Sequence, residues 1–137
     1  MAKAQCSCGA VSVTLPEPSS VIIACHCLEC QRQSGAPFRV GAYYRADAAT
    51  VRGTAKEYVR EAGEGRKFRS YFCTSCGSTV YWKADKIPGM IGVAVGCMDD
   101  PGFRAPDRSV FERSKHHWVQ MDAVGVHFPQ GSVKAPE

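Results

Sequence analysis

Seven of the eight cysteines in this 137-residue chain fall into three tight clusters, Cys6-Ser7-Cys8, Cys25-His26-Cys27-Leu28-Glu29-Cys30 and Cys73-Thr74-Ser75-Cys76. Thiolates one or two residues apart can converge on a single tetrahedral ion at about 2.3 Å, and zinc is the first reading of such a pattern. A glycine follows both Cys8 and Cys76, which supplies the tight turn that aims backbone amides at sulfur. The grouping points to metal more clearly than any other feature of the chain.

The competing reading is a disulfide framework, in which eight cysteines could pair in about 105 ways. Met1-Ala2-Lys3-Ala4-Gln5 contains no apolar run before Cys6, so no secretory leader is expected and a reducing, cytoplasmic location follows. A redox CxxC motif or an iron-sulfur site are the remaining alternatives.

The length suits one domain, and a hydrophobic content of 45% is that of a folded globular protein. Nothing approaches the roughly 18 uninterrupted apolar residues of a membrane helix. The net charge of +4 arises from 17 Lys and Arg against 13 Asp and Glu. These basic residues are scattered, as on a solvated surface; a basic rim attracting a small anionic substrate is the second reading. A nucleic-acid surface is a weaker third, because aromatic residues are not interleaved with the charges. One domain over residues 1–128 is expected, with 129–137, rich in Pro, Gly, Ser and charge, as a flexible tail.

Alternation of period two dominates. Val11, Val13 and Leu15 alternate with polar residues, Phe68 leads a run through Tyr71 and Phe72, Val80 and Trp82 alternate with Tyr81 and Lys83, and Ile91, Val93, Val95 and Cys97 share one face. Further strands are predicted over Ser20 to Ala24, Phe38 to Tyr44, Lys56 to Arg60 and Ser109 to Glu112. The one helical segment is short, Leu28 to Gln33, ended by Ser34-Gly35. The fold class is therefore all-β with a single helical turn. The first and third clusters fall at strand ends or turns. The second falls where a strand gives way to the helix, whose first amides favour thiolate at Cys27 and Cys30.

If Cys6, Cys8, Cys73 and Cys76 share a metal, four thiolates close its coordination and the site is structural. Closing that loop of about 65 residues costs about 4 kcal/mol, against about 10 to 16 kcal/mol from structural zinc. Joining the first pair to the Cys25 cluster instead changes the closure cost by only about 1 kcal/mol, so loop entropy leaves the pairing open. The count is more telling: seven thiols fill one tetrahedral site and leave three, and three protein ligands with one open position mark catalytic zinc. Cys97 reads as a core residue, with fourth ligand of the second site as the alternative.

The segments Cys6-Ser7-Cys8-Gly9-Ala10-Val11, Cys25-His26-Cys27 with Cys30 and Ser34-Gly35-Ala36, Phe72-Cys73-x-x-Cys76-Gly77-Ser78, and Val95-Gly96 before Asp99-Asp100-Pro101 resemble the glutathione-dependent formaldehyde-activating enzyme family, whose domain is shared with centromere protein V. The resemblance runs from about Cys6 to Trp118. It implies an Mss4-like all-β fold, a structural zinc on Cys6, Cys8, Cys73 and Cys76, and a second Zn2+ at an active site formed by Cys25, Cys27 and Cys30. It implies a carbon-sulfur lyase-type activity that joins a small thiol such as glutathione to an aldehyde such as formaldehyde. The family more often carries a small hydroxyl residue where this chain has Cys97. The alternative function is a non-catalytic zinc domain, acting as thiol carrier or partner-binding module.

Arg32, Gln33, Ser34, Gly35 and Phe38 follow the second cluster and are expected to form a pocket wall, and Arg39 or Arg32 could meet a substrate carboxylate through paired donors. His26 lies between two ligands and, in a locally extended segment, points away from the metal as packing or as a proton relay. His116 and His117 read as an exposed turn, with the pocket as the alternative. Tyr43, Tyr44, Tyr81 and Trp82 read as core.

Overall fold

The computed structural model describes residues 1–16 and 18–131. Eleven strands form two sheets, one of three strands in the order β1-β2-β5 and one of eight in the order β11-β10-β3-β4-β9-β8-β7-β6. The strands are β1 (Ala2–Gln5), β2 (Ser12–Leu15), β3 (Val21–Cys25), β4 (Arg39–Arg45), β5 (Thr50–Arg52), β6 (Ala55–Glu61), β7 (Lys67–Cys73), β8 (Thr79–Ala84), β9 (Met90–Ala94), β10 (Arg108–Val110) and β11 (Val126–His127). One α-helix, α1 (Leu28–Ser34), interrupts them between β3 and β4. The expected all-β architecture is what the chain adopts.

The alternating residues do what their period requires. Ala4, Val13 and Leu15 from the small sheet, with Val11 just before β2, pack against Ile22, Ala42, Tyr44, Tyr81, Ile91 and Val93 from one face of the large sheet, which makes a two-layer sandwich. The opposite face of the large sheet gathers Tyr43, Phe68 and Trp82. Here glycine is obligatory at two positions: a Cβ on Gly41 or Gly92 would stand 2.4 or 2.1 Å from the Trp82 indole. The ring lies in the trough they leave, and its Nε1–H donates to the Tyr43 hydroxyl at 3.0 Å.

Most ladders are antiparallel, but β10 runs parallel to β3, with Val110 beside Cys25, and β11 runs parallel to β10. A third cluster, Val119, Met121 and Val124, folds the C-terminal segment over Ala24, Phe38 and Val40. Within the expected tail, the Pro129 and Gln130 carbonyls accept from the Arg113 and Phe111 amides; residues 132–137 lie outside the described residues.

The fourth predicted strand face ends early. The alternation through Val95 and Cys97 does not continue as strand: β9 stops at Ala94 and Val95–Cys97 form a 3-10 turn. The strand expected through Glu112 likewise stops at Val110, because Phe111 takes a left-handed φ of 57° and starts a second 3-10 turn, Glu112–Ser114.

Candidate metal centres

The sulfur atoms form two groups. Those of Cys6, Cys8, Cys73 and Cys76 all lie within 4.8 Å of one another, and so do those of Cys25, Cys27 and Cys30. The Cys6 and Cys8 sulfurs are 3.7 Å apart, and the Cys8 and Cys73 sulfurs 3.6 Å. A disulfide would put them about 2.05 Å apart, whereas four ligands at about 2.3 Å from a tetrahedral ion stand about 3.8 Å from each other. All eight cysteines are free thiols, which removes the disulfide framework. The donor sets therefore fit thiophilic cations, and the first cluster joins the third, the pairing that loop entropy had left open.

Each half of the four-sulfur group is a tight turn. After β1, the Cys6 amide donates to the Val11 carbonyl at 3.0 Å and the Val11 amide to the Cys6 sulfur at 3.3 Å. After β7, the Gly77 amide donates to the Cys73 carbonyl at 2.8 Å and the Ser75 amide to the Cys73 sulfur at 3.4 Å. Gly9 and Gly77 take φ of 83° and 81°, the conformation their position after Cys8 and Cys76 suggested. The Ser7 amide donates to the Ser78 hydroxyl at 3.1 Å, tying one turn to the other. Hydrogen bonding from the Ser78 hydroxyl, then from its amide, holds the Cys76 thiol down to about 5.

The three-sulfur group sits where β3 ends. Cys25 is the last residue of that strand and lies directly across the ladder from Arg39. Cys27 caps α1, its sulfur accepting from the Cys30 amide at 3.3 Å, and Cys30 occupies the buried side of the first turn. Hydrogen bonding from Cys25 and Cys30 pushes the Cys27 thiol far down, and the same sharing with Cys27 pushes Cys25 up to about 11. One thiolate is thus favoured before any cation arrives.

His26, between two of these cysteines, is wholly buried. Its amide donates to the Val110 carbonyl at 3.1 Å, its carbonyl accepts from Gln31 Nε2 and Ser114 Oγ at 2.8 Å each, and its ring Nε2 meets the Ser109 hydroxyl at 2.9 Å. The ring also stands against Phe38, 5.2 Å between centroids. Burial pushes its pKa below the ordinary imidazole range. His26 is an anchor engaged from three directions. Ser109 and Ser114 had no sequence signal pointing to them, since nothing local marks a serine as the partner of a residue more than 80 positions away; Gln31 is only five positions from His26, but nothing in its type marked it as that carbonyl's donor.

A groove of about 340 Å³ is lined by Gln33, Ser34, Phe38 and Arg39 on one side and by Thr79, Trp82 and Cys97 on the other. Three of the residues expected in a pocket wall are there. Arg32 is not; it pairs in solvent with Glu29 at 3.6 Å. Gly35 ends α1 in the left-handed conformation, its amide on the Gln31 carbonyl. The Arg39 guanidinium is stacked 4.0 Å over Trp82 and 5.0 Å over Phe68 and hydrogen-bonded to Gln33 Oε1, so it is rigidly presented, and its charge lowers the Cys27 thiol.

His116 and His117 are exposed and outside the groove lining; His116 Nε2 lies 3.1 Å from Gln31 Oε1 and its ring stands edge-on to Trp118. Cys97 belongs to neither sulfur group. Its thiol donates to the Thr79 carbonyl at 3.7 Å, and burial raises its pKa.

Among solved structures the chain is similar to a Rhodobacter sphaeroides protein, with 21% identity, 92% of this chain and 98% of that one covered, and a TM-score of 0.58, a likeness of fold. No curated protein matches the chain. The model of the family described as glutathione-dependent formaldehyde-activating enzyme matches residues 1–114, the stretch that carries all three cysteine clusters, and the chain belongs to that family.

Proposed function

We propose that this protein is a zinc-dependent carbon-sulfur lyase-type enzyme that joins a small thiol such as glutathione to an aldehyde such as formaldehyde. In this reading Cys6, Cys8, Cys73 and Cys76 hold a structural zinc, and Cys25, Cys27 and Cys30 hold a second zinc at the active site. The observation that carries it is the three-thiol set, which no further His, Cys, Asp or Glu of the described residues completes. Three protein ligands leave one position for a visiting thiol.

A zinc ion bound there supplies Lewis acidity and keeps a bound thiol deprotonated near neutral pH. The chain's own residues do the rest. Three thiolates on a dication leave one net negative charge, which the guanidinium of Arg39 offsets from across the β3–β4 ladder. Arg39 also offers paired donors to a carboxylate of the thiol substrate, with Trp82 and Phe68 restricting its rotation. Gln33, Ser34 and Thr79 give the groove polar contacts, and Phe38 and Trp82 give it apolar walls.

A thiol carrier is the second reading, and one observation favours it. Among the described residues no imidazole or carboxylate lines the groove, and neither do Cys25, Cys27 and Cys30, so the groove offers a thiol a binding surface without a general acid or base. The free thiols suit a reducing compartment, and we place the protein in the cytoplasm; among the described residues no helix is long and apolar enough to cross a membrane.

Metal analysis with glutathione titration and an aldehyde-consumption assay separates these readings. The enzyme is expected to hold two zinc ions per chain, to bind glutathione saturably, and to lose turnover on mild chelation while staying folded. Saturable binding without turnover favours the carrier, and neither binding nor turnover removes both.

A further inference from the structure

We propose that the outer face of the eight-stranded sheet, at its β6 edge, binds single-stranded nucleic acid, with Lys56, Arg60 and Arg39 meeting phosphates and Tyr58 stacking on a base. The inference does not depend on the chemistry of either thiol group. It rests on a sorting of charge and an interleaving of cations with rings that only the folded sheet displays.

The pleat of β6 does the sorting. Residues two apart on a strand stand about 6.6 Å from one another on the same face, so Lys56, Tyr58 and Arg60 form one row while Glu57, Val59 and Glu61 form the other. The acidic row is already engaged across the ladder to β7: Glu57 accepts from the Tyr71 hydroxyl at 2.7 Å, and Glu61 pairs with Lys67 at 2.6 Å. Glu57 and Glu61 are also the only carboxylates on the strands of the large sheet. Its outer face, opposite the one that packs on the small sheet, therefore presents cations and no strand carboxylate.

The registers carry the basic row inward from the edge. Arg60 lies across from Phe68, and Tyr58 across from Ser70, which faces Trp82 on β8. Two guanidinium groups meet above these rings: Cζ of Arg60 is 4.6 Å and Cζ of Arg39 5.0 Å from the one Phe68 centroid, and Arg39 is 4.0 Å from that of Trp82. A guanidinium held on a ring keeps its planar fork oriented for phosphate and offers its outer plane to a base. Among the described residues neither Lys56 nor Arg60 has a carboxylate partner. Tyr58, between them, is 58% exposed, so its ring is open to solvent.

Charge complementarity selects a polyanion, and the planar groups select among polyanions. A duplex turns its bases inward, and an acidic peptide or a sulfated sugar has none. A single strand offers phosphates and free base faces together, which is the combination a basic surface with an exposed aromatic ring accepts. Open sheets bearing aromatic rings hold unstacked bases in the same manner.

Fluorescence anisotropy of a labelled oligothymidylate of about 12 nucleotides, titrated with the full chain over a series of salt concentrations, tests the proposal. Saturable binding with a Kd of about 1 to 100 μM is expected, and three phosphate contacts should give log K a slope of about −2 against log salt. Lys56→Gln and Arg60→Gln should each weaken binding and flatten that slope by about 0.7. Tyr58→Ala should weaken binding by about 5- to 100-fold and leave the slope as it was. Lys83→Gln removes a cation from the opposite face, where it lies across from Arg69, and should change neither quantity. Thermal melting checks that each variant is folded; if Arg60→Gln is not, Lys56→Gln and Tyr58→Ala decide. Absence of saturable binding, a Tyr58→Ala variant that binds like wild type, a Lys83→Gln loss equal to that of Lys56→Gln, or heparin or duplex DNA bound as tightly as the single strand overturns the proposal.

Discussion

The sulfurs of Cys8 and Cys73 lie 3.6 Å apart although 65 residues separate them in the chain. Cys8 belongs to the turn between β1 and β2 of the small sheet, and Cys73 ends β7 of the large one, so their shared site joins the two layers. A structural zinc contributes about 10 to 16 kcal/mol, comparable to the whole stability of a domain this size at about 5 to 15 kcal/mol. Cys73→Ser is expected to unfold the domain or render it insoluble, as thermal melting monitored by circular dichroism will report. An unchanged melting midpoint would remove the structural role.

At the other centre the expectation is milder. Cys27→Ser leaves Cys25 and Cys30 with too few ligands for tight binding, but no sheet depends on them for closure. The variant should be folded and carry about half the wild-type zinc, measured by atomic emission on purified protein. Full zinc retention would show that the second site is elsewhere.

Gly92→Ala tests the trough under Trp82. Its Cβ would approach Nε1 of that ring to 2.1 Å, closer than any real contact, so the indole or the β9 backbone must shift. Overpacking of a core costs about 1 to 3 kcal/mol, and Trp82 would lose its bond to Tyr43. Urea denaturation should register the loss together with a change in tryptophan emission, and unaltered stability would contradict this packing.

Arg39→Ala should weaken binding of a carboxylate-bearing thiol far more than that of a neutral thiol of similar size. A charged hydrogen-bonded partner is worth about 1.5 to 3 kcal/mol, or roughly a 10- to 100-fold rise in KM for the anionic thiol alone. Equal losses for both thiols would mean that Arg39 acts on the metal site and not on the substrate carboxylate.

The Glu112 and His127 pair gives the fold a pH signature. Hydrogen bonding to Glu112 raises His127 above its ordinary 6.5, so this contribution is fully present below that value and is lost as pH rises through the raised folded pKa. Glu112 is depressed below its ordinary 4.5 by hydrogen bonding from His127 and Ser109 that outweighs its burial, so its share is present above 4.5 and lost as pH falls through the folded value. Stability measured against pH should thus show a plateau between these limits, and His127→Gln should abolish the alkaline descent. An alkaline limb identical in the variant would exclude the pair as its source.

How far the sequence spoke depended on side-chain size and on distance. Val11, Val13 and Leu15 alternate strongly and are all fully buried, so β2 was plain; β1 was missed because its inward residues are only Ala2 and Ala4, too small to stand out as a pattern. Strand β5 is wholly exposed and β11 is two residues long, so neither has a buried face to betray it. Val95 and Cys97 prolong the alternation of β9 in composition, yet Gly96 between them lets the backbone bend into a 3-10 turn. The thiols announced themselves through spacing, and Gln33, Ser34 and Phe38 through proximity to them. The partners of His26 could not, because Ser109 and Ser114 become neighbours only when β10 docks parallel to β3.

That parallel docking has a bearing on biosynthesis. The first 25 residues leave the ribosome holding β1, β2 and β3, but the rivet between the layers waits for Cys76, and the support under His26 waits for residue 114. Long-range closure of this kind slows folding and leaves early strands without partners. The nascent chain must therefore carry Cys6 and Cys8 without their partners until Cys73 and Cys76 emerge, whereas Cys25, Cys27 and Cys30 are all in place within six residues of one another.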